Sequence, residues 1–437
     1  QFLLQNCLGA WWVAAGRTLP TPMPYLRMSE SGTPAAGGFD EWPNHARDLR
    51  VLDPSCGSGH FLVAAFQILV AFRIAEDHMS AREACDAVLR DNLFGLELDP
   101  RCTQIAVFAL ALAAWRYPGA EGWRLLPAMH VACSGLSIAS KEADWVELAE
   151  GDVKLRTGMQ RLYRLFREGP TLGSLINPRA LGDTLFEAPF GDLHPLLTRA
   201  ATRETSSDDF HEMAVAAQGV AKSAEVLSGE FTLVVTNVPY LGRAKQNDLL
   251  KKFCDDTYND ARADLATCFV RRCLELTAKG GVVAAVTPQH WLTLGSYEHL
   301  RADLLTNVTW CSLANLGPRA FETITGHIVN VTLVTLQNLP PNAEHTFAGI
   351  NAAEEPSPAA KETALREQPL QFLGQRDQRK SAESRVAFHA DTRSRTLGDF
   401  AMMLEGTSRG DTERFDRCFW ELERLDISRW SPLLNSP

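Results

Sequence analysis

The sequence predicts an α/β protein built on a doubly wound, Rossmann-like sheet that is mainly parallel. Three observations support this prediction. Short apolar runs typical of buried strands alternate with stretches of helical apolar spacing, a glycine-rich turn joins the first strand to the first helix, and polar residues follow several strand ends. The length of 437 residues suggests two to three domains.

The first two strand–helix units follow one another directly. Residues 49–54 (LRVLDP) predict a short buried strand, and a glycine-rich turn (SCGSGH) leads from it into a helix over residues 61–78. The second unit has a strand at residues 92–99 and a helix that begins at Pro100, because proline fits the first helical turn. Residues 129–135 are a candidate third strand.

The alternation is interrupted once and then resumes. Residues 138–228 contain amphipathic helical stretches around a segment richer in Pro and Gly, so we predict an inserted helical element there. The strand FTLVVTNVPY follows at residues 231–240, then a helix over 264–281 that ends in glycines. Strands are predicted at residues 282–292 and 327–337.

The domain boundaries follow from these patterns. Residues 1–45 predict an N-terminal helix and a loop, and residues 46–338 the main α/β domain with its insertion. The Pro/Ala/Glu-rich residues 339–395 predict a linker, and residues 396–437 the start of a further compact unit. Because the chain begins with Gln1 and ends within a pattern, we expect it to be a piece of a longer polypeptide.

The composition excludes several classes of protein. A net charge of −10 argues against coating nucleic acid by bulk electrostatics, although a local basic groove is compatible with it. The apolar stretches are too short to span a bilayer, which predicts no membrane association. The ten cysteines show no metal-ligand spacing, so we expect reduced cysteines, no metal site and a cytoplasmic protein.

The first candidate site is the turn after the first strand. Gly57 and Gly59 allow the backbone to turn tightly and a ligand to approach closely, and the following helix N-terminus favours a negative group. The third glycine of a dinucleotide fingerprint is absent from this G-x-G spacing, so taken alone it fits a purely structural turn as well.

The second candidate site is Glu97, at the end of the next strand. A carboxylate there can accept hydrogen bonds from both hydroxyls of a ribose, whereas Asp99 is better explained as the helix N-cap. The turn and the carboxylate together favour an adenosine-containing cofactor. The lysine of a P-loop is missing, which argues against a nucleoside triphosphate.

The third candidate site is the loop Asn237-Val238-Pro239-Tyr240, at the carboxyl end of its strand, where open α/β sheets bind ligands. The Asn237 side-chain oxygen and a neighbouring backbone carbonyl can accept hydrogen bonds from an exocyclic amine, and Tyr240 can stack on a planar ring. Such a site fits attack by an amino nitrogen on an activated methyl group, with proximity providing most of the catalysis.

The motifs LDPSCGSGHFL, FGLELDP and TNVPY, in that order, resemble motifs I, II and IV of the gamma-class, S-adenosylmethionine-dependent adenine-N6 DNA methyltransferases. Later segments are similar to the family's motifs V to VIII, and PTPMPYLRM resembles motif X. The likeness covers roughly residues 18–338 apart from the insertion. The chain looks most like the PglX-type methyltransferases of BREX phage-exclusion systems, with fused restriction–modification enzymes as the nearest alternative.

The resemblance implies roles for individual residues. It implies an amine-holding loop with Asn237 and Pro239, and Tyr240 stacked on a flipped adenine. It implies cofactor contacts for the residues of motifs X, I, II and III, which are Thr21, Asp53, Cys56, Gly57, Gly59, Glu97, Leu98 and Ser134. Val238 departs from the family's usual proline, and Cys133-Ser134 stands where many relatives carry an acidic residue.

The resemblance therefore implies transfer of a methyl group from S-adenosylmethionine to adenine N6 in duplex DNA by base flipping, with possible defence-system protein partners. On this interpretation residues 396–437 begin a target-recognition domain. Two alternatives stay open: methylation of RNA or of a protein amide, and a catalytically silent module that binds S-adenosylmethionine or DNA.

Other residues near these motifs carry weaker signals. The basic residues Arg243, Lys245, Lys251 and Lys252 fit either phosphate contacts or a solvated helix face. Trp291 and Tyr297 fit a wall of the base pocket, or better the core, and His290 needs no chemical role.

Overall fold

The protein is described by a computed structural model. The described residues are 1–136, 138, 141–147, 153–181, 208–320 and 329–388. The predicted start of a recognition domain at residues 396–437 lies outside them. Among the described residues, no helix combines the length and apolar character needed to cross a membrane.

A single sheet of nine strands forms the centre of the described residues, in the order β3-β2-β1-β4-β5-β7-β6-β8-β9. The first five strands in this order, β3, β2, β1, β4 and β5, are parallel to one another. Strand β7 runs antiparallel between β5 and β6, and β8 is parallel to β6. The predicted doubly wound, mainly parallel fold is therefore confirmed. The strands are β1 (Val51–Asp53), β2 (Leu93–Glu97), β3 (His130–Cys133), β4 (Phe231–Asn237), β5 (Thr277–Pro288), β6 (Thr309–Gly317), β7 (Val331–Gln337), β8 (Thr346–Asn351) and β9 (Gln371–Gly374).

Helices cover both faces of this sheet. They are α1 (Phe2–Leu4), α2 (Ala10–Ala14), α3 (His60–Asp77), α4 (Ala81–Asp91), α5 (Pro100–Arg116), α6 (Glu142–Glu147), α7 (Val153–Phe166), α8 (Gly169–Leu172), α9 (Asp208–Ser228), α10 (Asp248–Thr257), α11 (Leu265–Leu276), α12 (Glu298–Asn307), α13 (Pro358–Glu367) and α14 (Gln375–Lys380). A π-helical turn, Gln5–Gly9, joins α1 to α2.

Side-chain caps determine where the helices near the sheet edge begin. The Asp99 carboxylate accepts a hydrogen bond from Arg101 N at 2.8 Å and so caps α5, whose first residue is Pro100. Both sequence predictions for this helix start are confirmed. The Asp264 carboxylate caps α11 in the same way, through Ala266 N at 2.9 Å.

Two apolar cores lie on opposite faces of the sheet, because successive strand residues point to opposite sides. In β1, Val51 faces the core formed with α3 to α5 and the N-terminal helices, whereas Leu52 faces the core formed with α7 and α9 to α12. Burial of each such side chain stabilises the fold by about 1.5–3 kcal/mol. The two cores hold the sheet rigid, so its carboxyl edge presents a fixed set of loops.

The prediction of a linker at residues 339–395 is wrong for most of the residues that the structure describes there. Strand β8 pairs with β6, β9 pairs with β8, and α13 packs on the same core as α3. The error has a physical cause. Pro358 stands in the first turn of α13 behind the N-cap Ser357, so the proline marks a helix start and not a loop.

The region of the predicted insertion, residues 138–228, is largely helical where it is described. Its last helix, α9, connects β3 to β4 and packs against β2 and β3, so it serves as a crossover helix of the main sheet. The helix predicted over residues 264–281 ends at Leu276, and β5 already begins at Thr277.

Candidate active site

The glycine-rich turn connects β1 to α3, and both glycines have left-handed backbone geometry. Gly57 has φ of 53° and Gly59 has φ of 87°, a conformation that costs any other L-residue free energy. A Cβ at Gly59 would lie 3.1 Å from Ala106 Cα of α5, whereas a Cβ at Gly57 would meet no atom within 4 Å. Gly59 is therefore required for packing, and Gly57 faces open space where a ligand can approach the backbone.

The Glu97 carboxylate joins this turn to the end of β2. Its Oε2 accepts a hydrogen bond from Gly57 N at 2.7 Å, and its Oε1 accepts from Leu98 N at 2.9 Å and Asp99 N at 3.2 Å. Oε1 thus accepts two hydrogen bonds, whereas Oε2 accepts one and keeps acceptor capacity for a further donor. The structure thus brings Gly57 and Glu97 together, as the sequence predicted, with the carboxylate already oriented.

Asp53 lies beneath the turn at the end of β1 and is buried. Its Oδ1 accepts a hydrogen bond from Ser55 N at 3.1 Å. Burial, with a smaller contribution from the neighbouring Glu97 carboxylate, raises the pKa of Asp53 to about 7. Cys56 is also buried, and burial raises the pKa of its thiol far above the ordinary range, so it packs as a small apolar side chain.

Leu98 and Ser134, the remaining predicted cofactor contacts near the turn, differ in exposure. Leu98 is 45% exposed beside the turn, as an apolar surface for a ligand requires. Ser134 is buried, and its hydroxyl lies 3.3 Å from the Glu97 carbonyl oxygen and 3.4 Å from the Ser174 hydroxyl. Ser174 in turn donates to the Pro54 carbonyl oxygen at 2.6 Å. Ser134 thus connects the loops that surround the site.

Thr21 lines a groove of about 1050 Å³ between α3 and α5. Ser58, Gly59 and His60 of the glycine-rich turn line the same groove. The rest of the groove follows the two helices away from the sheet edge and lacks Glu97 and Asn237 among its lining residues.

The Asn237-Val238-Pro239-Tyr240 loop follows β4, the immediate neighbour of β1 in the sheet. Asn237 is exposed, and its Oδ1 accepts a hydrogen bond from the Tyr240 hydroxyl at 3.3 Å. Val238 is buried and donates its N–H to the Val286 carbonyl oxygen at 3.3 Å, so packing holds the backbone where the family usually has proline. Burial raises the pKa of Tyr240 well above its usual value, which keeps the ring neutral.

A cavity of about 640 Å³ opens beside Tyr240. Its wall includes polar side chains from four segments of the chain, namely Arg243, Lys245, Asp264, Gln289, His290 and Asn330. The volume is ample for a purine ring. We therefore regard this space as the candidate target cavity.

The basic residues after the loop differ in their contacts. Arg243 pairs with Asp255 at 2.7 Å, so its charge is neutralised within the protein. Lys245 and Lys252 are exposed and remain suitable for phosphate contacts. Lys245 and Lys252 therefore fit the prediction of phosphate contacts, whereas Arg243 does not.

Sequence reasoning missed Asp264 and His290 as residues of the target cavity. The sequence offered a signal only for Asp264, because an aspartate directly before a helix predicts an N-cap and nothing more. Trp291 and Tyr297 are buried, which fits their assignment to the core. Among the described residues, no cluster of side chains is arranged to hold a metal ion.

Comparisons with known proteins find similar DNA methyltransferases. Residues 91–321 match the Eco57I restriction-modification methylase family, and residues 36–120 match the DNA-methyltransferase domain of MmeI. The chain is 29% identical over 358 residues to the adenine-specific methyltransferase BrxX of Escherichia coli O9:H4 strain HS. It is 27% identical over 352 residues to the adenine-specific methyltransferase PglX of Lacticaseibacillus casei strain Zhang.

Each of these two alignments covers 75% of this chain but only 29% and 28% of the respective relative. The chain thus spans less than a third of the length of the curated relatives that it matches. A solved structure of the Type ISP restriction-modification enzyme LlaGI with a DNA substrate mimic is similar at a TM-score of 0.45 and 13% identity, over 75% of this chain and 24% of that one. The resemblance that the motifs predict is confirmed, and the chain belongs to the Eco57I restriction-modification methylase family.

Proposed function

We propose that this chain transfers a methyl group from S-adenosylmethionine to the N6 amine of adenine in duplex DNA. One observation carries the proposal. The Asn237–Tyr240 loop, Gly57 and Glu97 lie at the carboxyl ends of three adjacent parallel strands, β4, β1 and β2. An amine-holding loop and a nucleoside-binding carboxylate are thus neighbours at one sheet edge, where open α/β sheets bind ligands.

The residues at the glycine-rich turn fit S-adenosylmethionine. Gly57 leaves space for close approach, Glu97 Oε2 keeps acceptor capacity for a ribose hydroxyl, and Leu98 offers an exposed apolar surface for the adenine ring. When bound, this cofactor supplies an electrophilic methyl group on a sulfonium. Asp53, with its raised pKa, adds a carboxyl group below the turn.

The loop after β4 fits an amine substrate. Asn237 Oδ1 and the Val238 backbone carbonyl are suitable acceptors for the two hydrogens of the amine, which orients the nitrogen lone pair towards the methyl donor. Tyr240 stacks on the purine ring. Proximity and alignment of this kind supply a large part of the rate enhancement of a two-substrate reaction.

A target adenine must leave the duplex to reach this edge, because the amine is inaccessible within the base stack. The target cavity beside Tyr240 has the space to receive it. Lys245, which lines this cavity, and Lys252 are both exposed and suited to contact phosphates. We further propose that the reaction takes place in the cytoplasm, with duplex DNA as substrate, and that protein partners of a phage-defence system act with it.

The test is incorporation of labelled methyl groups into DNA by the full-length protein. Asn237→Ala removes the side-chain acceptor and is expected to lower the rate about 100-fold or more, the loss typical of a polar group that stabilises a transition state. Asn259→Ala is the matched control, since Asn259 is exposed and lies outside the target cavity. Equal incorporation by wild type and Asn237→Ala would contradict the assigned role, and labelled RNA or protein instead of DNA would change the substrate class.

A further inference from the structure

Asp264 fixes the segment that follows Tyr240. Its Oδ1 accepts hydrogen bonds from Leu241 N at 3.3 Å and from Ala266 N at 2.9 Å. The backbone adds further bonds between the same segments, from Leu265 N to Leu241 O at 3.1 Å and from Arg243 N to Ala263 O at 3.0 Å. Asp264 is only 6% exposed. The loop that carries Tyr240 is therefore attached to the N-terminus of α11 through one buried carboxylate.

The second oxygen of the same carboxylate faces His290, which follows β5. Asp264 Oδ2 lies 3.8 Å from His290 Nε2, and this nitrogen also lies 3.0 Å from the Tyr297 hydroxyl. Tyr297 is buried, so its hydroxyl is a fixed partner. The Tyr297 hydroxyl therefore holds one edge of the imidazole ring, and the Asp264 carboxylate faces the same edge from beyond hydrogen-bond distance.

The other edge of the ring remains available. The His290 side chain is 40% exposed and lines the target cavity together with Tyr240. In the part of the chain that the structure describes, His290 Nδ1 forms no hydrogen bond, whereas Nε2 is engaged. A histidine held at one nitrogen presents its other nitrogen in a defined direction. This is the arrangement expected of a group that positions a ligand.

We propose that His290 is a positioning residue for the nucleotide that enters the target cavity, held by the Tyr297 hydroxyl at Nε2 beside the Asp264 carboxylate and bonded to that nucleotide through Nδ1. The inference rests on the proposed function for the identity of the nucleotide. The acceptor or donor that Nδ1 meets belongs either to the base edge or to the phosphate beside it. Both are polar groups of the same extrahelical nucleotide.

Two substitutions at the same position give a sharp test. The terminal amide of asparagine lies near the position of Nδ1 of histidine, whereas that of glutamine lies near the position of Nε2. His290→Gln and His290→Ala are expected to weaken binding of a short single-stranded oligonucleotide with one 2-aminopurine by about tenfold, the loss of one hydrogen bond. His290→Asn is expected to keep most of the affinity. Asp264→Asn retains the cap of α11, and its affinity for the oligonucleotide is expected to lie between those of His290→Ala and His290→Asn.

Further measurements separate positioning from a structural role. In His290→Gln, KM for DNA should rise while kcat and the affinity for S-adenosylmethionine change little. The control is His299→Ala, at an exposed position on α12. The melting temperatures of the two variants should be the same. An oligonucleotide with an abasic target position distinguishes the two contacts. The effect of His290→Ala disappears there if Nδ1 meets the base, and persists if it meets the phosphate.

The outcomes are distinguishable from those of the proposed function. Wild-type oligonucleotide affinity in His290→Ala, or equal losses in His290→Asn and His290→Gln, would overturn the positioning role even if the protein methylates DNA. If the protein methylates no DNA while His290→Gln still binds the oligonucleotide about tenfold more weakly than His290→Asn, the proposed reaction fails and the positioning role stands.

Discussion

The Tyr240 hydroxyl donates a hydrogen bond to Asn237 Oδ1 at 3.3 Å, so the two side chains proposed to hold the substrate contact each other in the structure. The oxygen that would accept from the amine is engaged by the ring that would stack on the base. A substrate amine must replace this hydroxyl, and the ring must move with it. The contact therefore keeps Asn237 oriented until substrate arrives.

Substitution of Tyr240 separates the hydroxyl from the ring. Tyr240→Phe removes the contact with Asn237 but keeps the stacking surface, so we expect methylation within about threefold of wild type, because a single neutral hydrogen bond contributes little net free energy. Tyr240→Ala removes the stacking, which is worth about 1–3 kcal/mol per base, so KM for DNA should rise by roughly 10- to 100-fold. Steady-state methylation measures both. Equal losses in the two variants would show that the hydroxyl matters more than the ring.

The two glycines of the turn are expected to respond differently to alanine. Both need positive φ, which costs an alanine about 1–2 kcal/mol. At Gly57 the added methyl enters open space, so stability should fall only by that amount while S-adenosylmethionine affinity is lost. At Gly59 the methyl also meets Ala106, so Gly59→Ala should destabilise the fold by several kcal/mol. Chemical denaturation and calorimetry test the pair, and unchanged cofactor affinity in Gly57→Ala would exclude this turn from the site.

Glu97 is expected to determine cofactor affinity through its charge. Glu97→Gln keeps one oxygen for Gly57 N but loses the charged carboxylate that we propose accepts from the ribose of the cofactor. Hydrogen bonds to charged groups contribute about 1.5–3 kcal/mol, so S-adenosylmethionine should bind roughly 10- to 100-fold more weakly. Asp99→Asn is the matched control two residues away, because asparagine also caps a helix. Similar affinities in both variants would contradict the ribose contact.

Much of the site followed from the sequence because its residues are local to strand ends. Glu97 and Asn237 are the last residues of recognisable strands and Gly57 follows another closely, and parallel neighbours bring such positions to one edge. Asp264 and His290 were missed because their role depends on contacts with Leu241 and Tyr297, and no local pattern encodes those distances.

The region after β7 was mispredicted for a different reason. Proline and alanine are common in linkers, yet Pro358 here starts α13, and the Lys361 side chain of that helix is buried. A strand as short as β8, with one glycine in its middle, also gives a weak periodic signal. Only pairing with β6 shows that these residues complete the sheet.

The buried carboxyl of Asp53 makes stability depend on pH. An aspartate ordinarily ionises near pH 3.8, whereas burial raises the pKa of Asp53 to about 7. Between these values the folded protein keeps a proton that the unfolded chain releases, so the free energy of unfolding should fall as pH rises from about 4 to 7 and then level off. Asp53→Asn removes this titration. The stability of wild type relative to Asp53→Asn should therefore fall by about 3 kcal/mol between pH 5 and pH 8, as chemical denaturation measures it. The same difference at both pH values would show that Asp53 ionises normally.

Lys361 attaches α13 to the carboxyl ends of β6 and β8. Its Nζ donates to the carbonyl oxygens of Leu316 at 2.5 Å, Ala352 at 2.9 Å and Ala353 at 3.2 Å, and the side chain is only 2% exposed. The helix also holds the segment before the glycine-rich turn, since Tyr25 donates to Glu362 at 2.5 Å.

Removing this ammonium leaves buried carbonyl groups without a donor. Because hydrogen bonds to charged groups contribute about 1.5–3 kcal/mol and several are lost together, Lys361→Met should destabilise the protein by about 3 kcal/mol, even though methionine fills the same volume. Lys380→Met on α14 is the control, since Lys380 is exposed and its loss should change stability by less than about 0.5 kcal/mol. Denaturant unfolding measures both. If α13 were instead a detachable part of a linker, Lys361→Met would behave like Lys380→Met, and limited proteolysis would release residues 339–388 equally fast from both variants and from wild type.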